Sequence, residues 1–143
     1  MNNSDAAAET AKAIGTLVGG LIALAILIIP AIFYLLMLQK TLNRCSPESR
    51  AMQPGMVWLL FIPLFNMVWH FFVVINMDKS LTTEFQKRGI PDNPASAKTL
   101  GLVMCGLFCG GIIPCIGPLI WLGGLVCWII YWVKIAGFSR KLA

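Results

Sequence analysis

Ile14 to Leu38 reads IGTLVGGLIALAILIIPAIFYLLML, an unbroken apolar stretch with no charged residue. A helix of roughly 20 such residues crosses the ~30 Å hydrocarbon core of a bilayer, so this segment predicts a first membrane helix. Pro30 removes one backbone donor from it and predicts a bend, which membrane helices tolerate when neighbouring groups satisfy the freed carbonyl. Gly15, Gly19 and Ala23 recur every four residues and leave one stripe of nearly bare backbone, the kind of face on which another helix can pack closely. The run exceeds the usual length of a signal-peptide core and starts behind Asp5 and Glu9, with no small-residue cleavage pattern after it. It is therefore expected to be a retained helix.

The rest of the chain repeats the theme. Of 143 residues, 58% are hydrophobic and 12% charged, where soluble domains carry about a quarter charged. Lipid can cover such an excess of apolar surface and water cannot, so the expected class is an all-α membrane protein of four hydrophobic helices in a single membrane domain. Met56 to Ile75 is the second run, interrupted by Pro63, carrying Asn66, His70 and, at its end, Asn76. Beyond it Met77, Leu81 and Phe85 recur every four residues among polar neighbours, so the second helix, about 56–76, should continue as an amphipathic interfacial piece to 88. Lys87 and Arg88 suit its negative dipole end and Gly89 the position just past it. Ser46-Pro47-Glu48 reads as a helix start within a short surface turn, and Asn93-Pro94 as another.

The third helix is expected over about 97–113, with Gly101, Cys105 and Cys109 on one stripe and Gly106 and Gly110 beside it. Pro114-Cys115-Ile116-Gly117-Pro118 holds two prolines and no charge, which predicts a tight hairpin. The fourth helix follows over about 119–138, with Gly123 and Cys127 on one face and Trp128, Tyr131 and Trp132 suited to the headgroup belt.

Charge sets two topologies against each other. If all four runs span, eight of the eleven basic residues share the side of both termini and three lie opposite, which places both termini in the cytoplasm. The first helix alone argues otherwise, since Asp5, Glu9 and Lys12 precede it and Lys40 and Arg44 follow. That conflict vanishes if the second run dips in and returns near Pro63 to Asn66, which leaves ten basic residues inside. Length favours a full span; both models put the C-terminus in the cytoplasm.

Candidate chemistry is sparse. His70 lies four residues after Asn66, on one helix face, and this intramembrane polar pair reads either as an interhelical hydrogen bond or as the lining of a path. Cys105, Cys109, Met104 and His70 are soft ligand types, yet cysteine on a glycine stripe also packs as a small apolar residue. Neither metal ligands nor a cofactor is expected. The basic residues stand singly at the edges of apolar runs, so the expected partner is lipid and not nucleic acid. The odd set of five cysteines implies no disulfide framework.

Two stretches carry a resemblance: Leu42-Asn43-Arg44, Ser46-Pro47 and Pro54-Gly55 leading through Trp58 to Ile62-Pro63-Leu64-Phe65-Asn66, and Gly124 through Gly137, GLVCWIIYWVKIAG. From about Leu35 onward the chain resembles a family of small, uncharacterised bacterial multi-pass membrane proteins, some fused to a GYF-like domain that this sequence lacks. The resemblance implies a bacterial inner membrane and transfers no activity. The functional expectation is a non-catalytic subunit or self-assembling scaffold, homo-oligomeric or bound to another membrane protein. The alternatives are a small oligomeric channel or transporter lined by Asn66 and His70, and a redox or metal-binding membrane protein.

Overall fold

The computed structural model describes residues 3–111 and 115–143, whose regular elements are all helices, with no strand among them. Helix α1 spans Asn3–Arg44 and runs without interruption through Pro30. Helix α2, a 3-10 helix, covers Pro54–Phe61; α3 covers Phe65–Arg88, α4 Ala95–Gly110 and α5 Gly117–Lys141. Helices α1 and α5 are each long and apolar enough to cross a membrane, and only 17% of the apolar window of each is buried, unlike the core helix of a soluble protein. The chain divides into two compact units, Met1–Tyr34 and Leu35–Ala143.

In the first unit the helix surface is open. The large aliphatics Ile14, Leu17, Leu21, Ile26 and Leu27 are all more than half exposed. A side chain added at Gly15 or Gly19 would meet nothing within 4 Å.

In the second unit the run from Met56 to Ile75 is not one helix. Pro54 starts a tight 3-10 turn, and Pro63 forces the residue before it, Ile62, into an extended conformation (φ −79°, ψ 111°), which ends that turn. Leu64 then adopts φ 65°, the only positive φ among the described non-glycine residues, with the Phe65 N–H donating to the Pro63 carbonyl at 2.8 Å. This is a γ-turn of the strained hand. The chain reverses there. Trp69 Nε1 donates to the Met56 carbonyl at 3.0 Å, and back at the start the Ala51 N–H donates to Ser80 Oγ at 2.9 Å. Helix α2 thus lies along α3, and the segment leaves from and returns to one level.

Helix α4 runs antiparallel to α3. Lys98 pairs with Asp78 at 3.3 Å, and Gly101 faces Val74. Helix α5 returns along α4: Lys134 Nζ donates to Ser96 Oγ at 3.1 Å, Gly124 meets Phe108, and Gly110 meets Ile120. At the hairpin end the backbones of Gly111 and Gly117 touch so closely that a Cβ on Gly117 would strike the Gly111 carbonyl. The expected helical residues Ile112 and Ile113 and the hairpin's Pro114 lie outside the described residues. The ends of α1, α3 and α5 and the start of α4 therefore gather at one polar end, and the reversal at Leu64 and the close approach of Gly111 and Gly117 lie at the other.

Two local expectations are replaced. Ser46-Pro47-Glu48 forms a turn and no helix, with the Ser49 N–H donating to the Ser46 carbonyl, because the Ser46 hydroxyl is drawn to Glu84 instead of capping. Met77, Leu81 and Phe85 do form a stripe, but each is at most 1% exposed; Phe85 packs edge-on to Phe138 at 5.6 Å, so protein covers the face expected at a membrane interface. At the C-terminus of α3, Gly89 takes the left-handed conformation (φ 65°) and, with Ile90, bonds back to the last turn, as its place after Lys87-Arg88 foretells.

Candidate functional site

The most elaborate polar site centres on Glu84, one turn before the end of α3 and 2% exposed. Helical spacing places it beside Met77, Leu81 and Phe85, so the helix that buries those residues also carries a carboxylate into the protein. The carboxylate is not left bare. Its Oε2 accepts from the Ser46 N–H at 2.9 Å and the Ser46 hydroxyl at 2.7 Å, and its Oε1 accepts from Arg88 Nε at 2.7 Å. Arg88 extends the network, donating through Nη2 to the Arg44 carbonyl at 2.9 Å and through Nη1 to the Leu142 carbonyl at 3.1 Å. Arg44 in turn donates through Nη1 to the carbonyl and the hydroxyl of Ser139. One carboxylate and two guanidinium groups thus tie the end of α1, the turn after it, α3 and the end of α5 together.

Burial alone would raise the Glu84 pKa, but the hydrogen bonds from the Ser46 side chain and backbone, with Ser49 and Arg88, overcome it and bring the carboxyl down to about 2. It is ionised at neutral pH and its oxygens face intramolecular donors, so its chemistry is that of a fastener. Around it, Lys87 holds the Glu48 carboxyl below its usual range across a 2.7 Å ion pair, and Lys141 does the same for Asp92. Cys45, buried at the turn, has its thiol pushed up to about 11 by burial and by the nearby Glu84 charge, which makes it inert as a nucleophile at neutral pH. Arg50 closes the turn through the carbonyls of Cys45 and Asn43 at 3.0 Å each.

The residues singled out from sequence are dispersed along the apolar shafts. Asn66 and His70 are half-buried in the first turns of α3, and the Asn66 N–H donates to the Ile62 carbonyl as part of the reversal. Gly101 is a true close-packing position: a Cβ there would lie 2.6 Å from Val74 Cγ1 and 2.9 Å from a Tyr131 ring carbon. Tyr131, expected in the headgroup belt, is 1% exposed because it fills the space that Gly101 leaves. Met104 and Cys105 are buried, Cys109 and Cys127 half-buried. Gly110 and Gly123 meet Ile120 and Leu107 at contact distance, while Gly106 faces open space. Among the described residues no three His, Cys, Asp or Glu side chains converge as metal ligands would.

Sequence reasoning passed over Glu84. The signal was present in two forms, the i,i+4 pairing with Arg88 and its place on the Met77-Leu81-Phe85 face. Comparison with family models, curated proteins and solved structures finds no match.

Proposed function

We propose that this chain is an integral protein of a bacterial inner membrane that works by association, as a non-catalytic subunit or self-assembling scaffold. The observation that carries the reading is the separation of charge from apolar surface in Leu35–Ala143. Ten basic residues, from Lys40 to Lys141, lie in the polar-end segments or the helix turns leading to them. The shafts meanwhile expose Val68, Val103, Leu119, Leu122, Val126, Ile129 and Val133. Such shafts are stable in lipid and would aggregate in water. The elaborate polar site binds the chain to itself, which supports an architectural role over a chemical one.

In this reading α1 crosses the bilayer and the second segment is re-entrant, so ten of the eleven basic residues face the cytoplasm together with the C-terminus. The doubling back supports that choice over the full span, since Ala51 and Ser80 are hydrogen-bonded neighbours. Native mass spectrometry of the complex released from membranes in mild detergent tests the association. A defined oligomer or a stoichiometric membrane-protein partner is the expected result; a strictly monomeric species with no co-purifying protein overturns it.

A further inference from the structure

The charges of Leu35–Ala143 are unevenly matched. Its four side-chain carboxylates are each held by a cation: Glu48 by Lys87, Asp78 by Lys98, Glu84 by Arg88 and Asp92 by Lys141. Six basic residues are left without a carboxylate, namely Lys40, Arg44, Arg50, Lys79, Lys134 and Arg140. Arg44 and Arg50 are spent on the protein's own carbonyls. Lys40, Lys79 and Arg140 are exposed, and Lys134 gives one donor to the neutral Ser96 hydroxyl.

The three lysines of this set lie at about one level. Asp78 pairs with Lys98, and Ser96 with Lys134, so Lys79 and Lys134 both stand level with the first turns of α4. Arg44 donates to Ser139; on the helical rise, Lys40 lies about 6 Å before Arg44 along α1 and Lys134 about 7.5 Å before Ser139 along α5. Because α1, α3 and α5 all run toward the polar end, a residue four or seven places earlier lies on the same face and farther from that end. Those places hold exposed apolar side chains: Leu36 (45%) beneath Lys40, Phe72 (39%) beneath Lys79 and Ile130 (43%) beneath Lys134. A lysine lays its methylene stem along such a surface and keeps its ammonium among polar groups.

We propose that Lys40, Lys79 and Lys134 form a collar that binds the phosphates of phospholipids whose acyl chains lie on the apolar side chains beneath, and that it prefers lipids of net negative charge. The unmatched cations carry that preference. A zwitterionic lipid brings its own ammonium, whereas an anionic one offsets a lysine that no carboxylate of the protein serves. Nucleic acid is the poorer match, since its phosphates bring no acyl chain to cover Leu36, Phe72 and Ile130. The inference rests on the membrane reading above.

Flotation and lipid counting test the membrane reading and the collar separately. Wild type should float with vesicles of phosphatidylcholine alone; if it does not, the membrane reading fails and the collar with it. In nanodiscs holding equal amounts of phosphatidylcholine and phosphatidylglycerol, native mass spectrometry of the released protein should find phosphatidylglycerol enriched about fivefold among the retained lipids, the factor expected of one basic residue near an anionic surface. Combining Lys40→Gln, Lys79→Gln and Lys134→Gln should bring the ratio close to even, and the corresponding three arginine substitutions should preserve it. Combining Lys87→Gln, Lys98→Gln and Lys141→Gln removes as much charge from paired positions and should leave more than half of the enrichment. Helical circular dichroism establishes that each variant is folded. An even ratio in wild type, or the same loss in both glutamine variants, overturns the collar. RNA retained by the solubilised wild type and lost with the collar lysines would make this a nucleic-acid surface and overturns it as well.

Discussion

The polar end and the apolar tips of Leu35–Ala143 hold their shape by opposite means. At the polar end, long-range hydrogen bonds fix segments far apart in sequence: Ser46 to Glu84, Arg44 to Ser139, Arg88 to Leu142. At the apolar turns, the backbone hydrogen bonds among the described residues join residues within four of each other, and the geometry comes from proline, glycine and the strained Leu64. A network of charged groups in low dielectric is stiff but depends on each member, because removing one strands the others. A turn closed on itself depends on nothing distant. The chain places the first kind among its charged residues and the second among its apolar ones.

The comparison breaks first at Glu84. Glu84→Ala should destabilise the detergent-solubilised protein by about 3 kcal/mol, since it leaves Arg88 and the Ser46 donors without their acceptor; Glu84→Gln, which keeps one acceptor oxygen, should cost less. Denaturant titration followed by helical circular dichroism measures both, and an unchanged midpoint for Glu84→Ala would mean that the network contributes nothing. The next effect is at the packed shaft. Gly101→Ala forces a Cβ against Val74 and Tyr131 and should cost about 1–3 kcal/mol through overpacking. Val74→Ala in the same chain should recover part of the loss, whereas additive destabilisation would point to a different cause.

Acid sharpens the same contrast. The Glu84 carboxyl is depressed in the folded protein, so its contribution is complete above the ordinary carboxylate range near 4.5 and is lost as pH falls toward about 2. Wild type should lose stability over that window, and Glu84→Gln should show a shallower fall, as Glu48 and Asp92 still titrate in it. Parallel curves for the two proteins would place the acid sensitivity elsewhere.

What was legible in the sequence follows the same division. The helical class, the long apolar α1 and α5, the Gly89 cap and the close return of the chain at Gly117 against Gly111 are local consequences of apolar runs, prolines and glycines, and periodicity reports such features well. The break at Ile62–Leu64 was half legible: Pro63 marks it, but only the pairing of Ala51 with Ser80 decides that the chain returns instead of continuing. Glu84 was passed over and Tyr131 misplaced because Ser46 and Gly101 lie roughly 30 or more residues away in sequence; the pairing with Arg88 one turn on hints that Glu84 is held, but not by which turn. The glycine stripe of α4 shows the limit plainly. Gly101 and Gly106 look alike in sequence, yet one is pressed between two side chains and the other faces open space.

That pair also supplies the smallest test. At Gly106 an added methyl meets no atom within 4 Å, so only backbone terms remain. Alanine restricts the unfolded chain and favours the helix relative to glycine by roughly 0.5–1 kcal/mol. Gly106→Ala should therefore raise stability by that amount or less in the isolated protein, with the opposite sign to Gly101→Ala five residues away. The same substitution also probes association, because a second copy or partner seated on Gly106 would meet the new methyl. If Gly106→Ala stabilises the monomer in denaturant but lowers the oligomeric fraction in native membranes, that face of α4 is where the partner sits. If both measurements improve or stay level, the association runs through another surface.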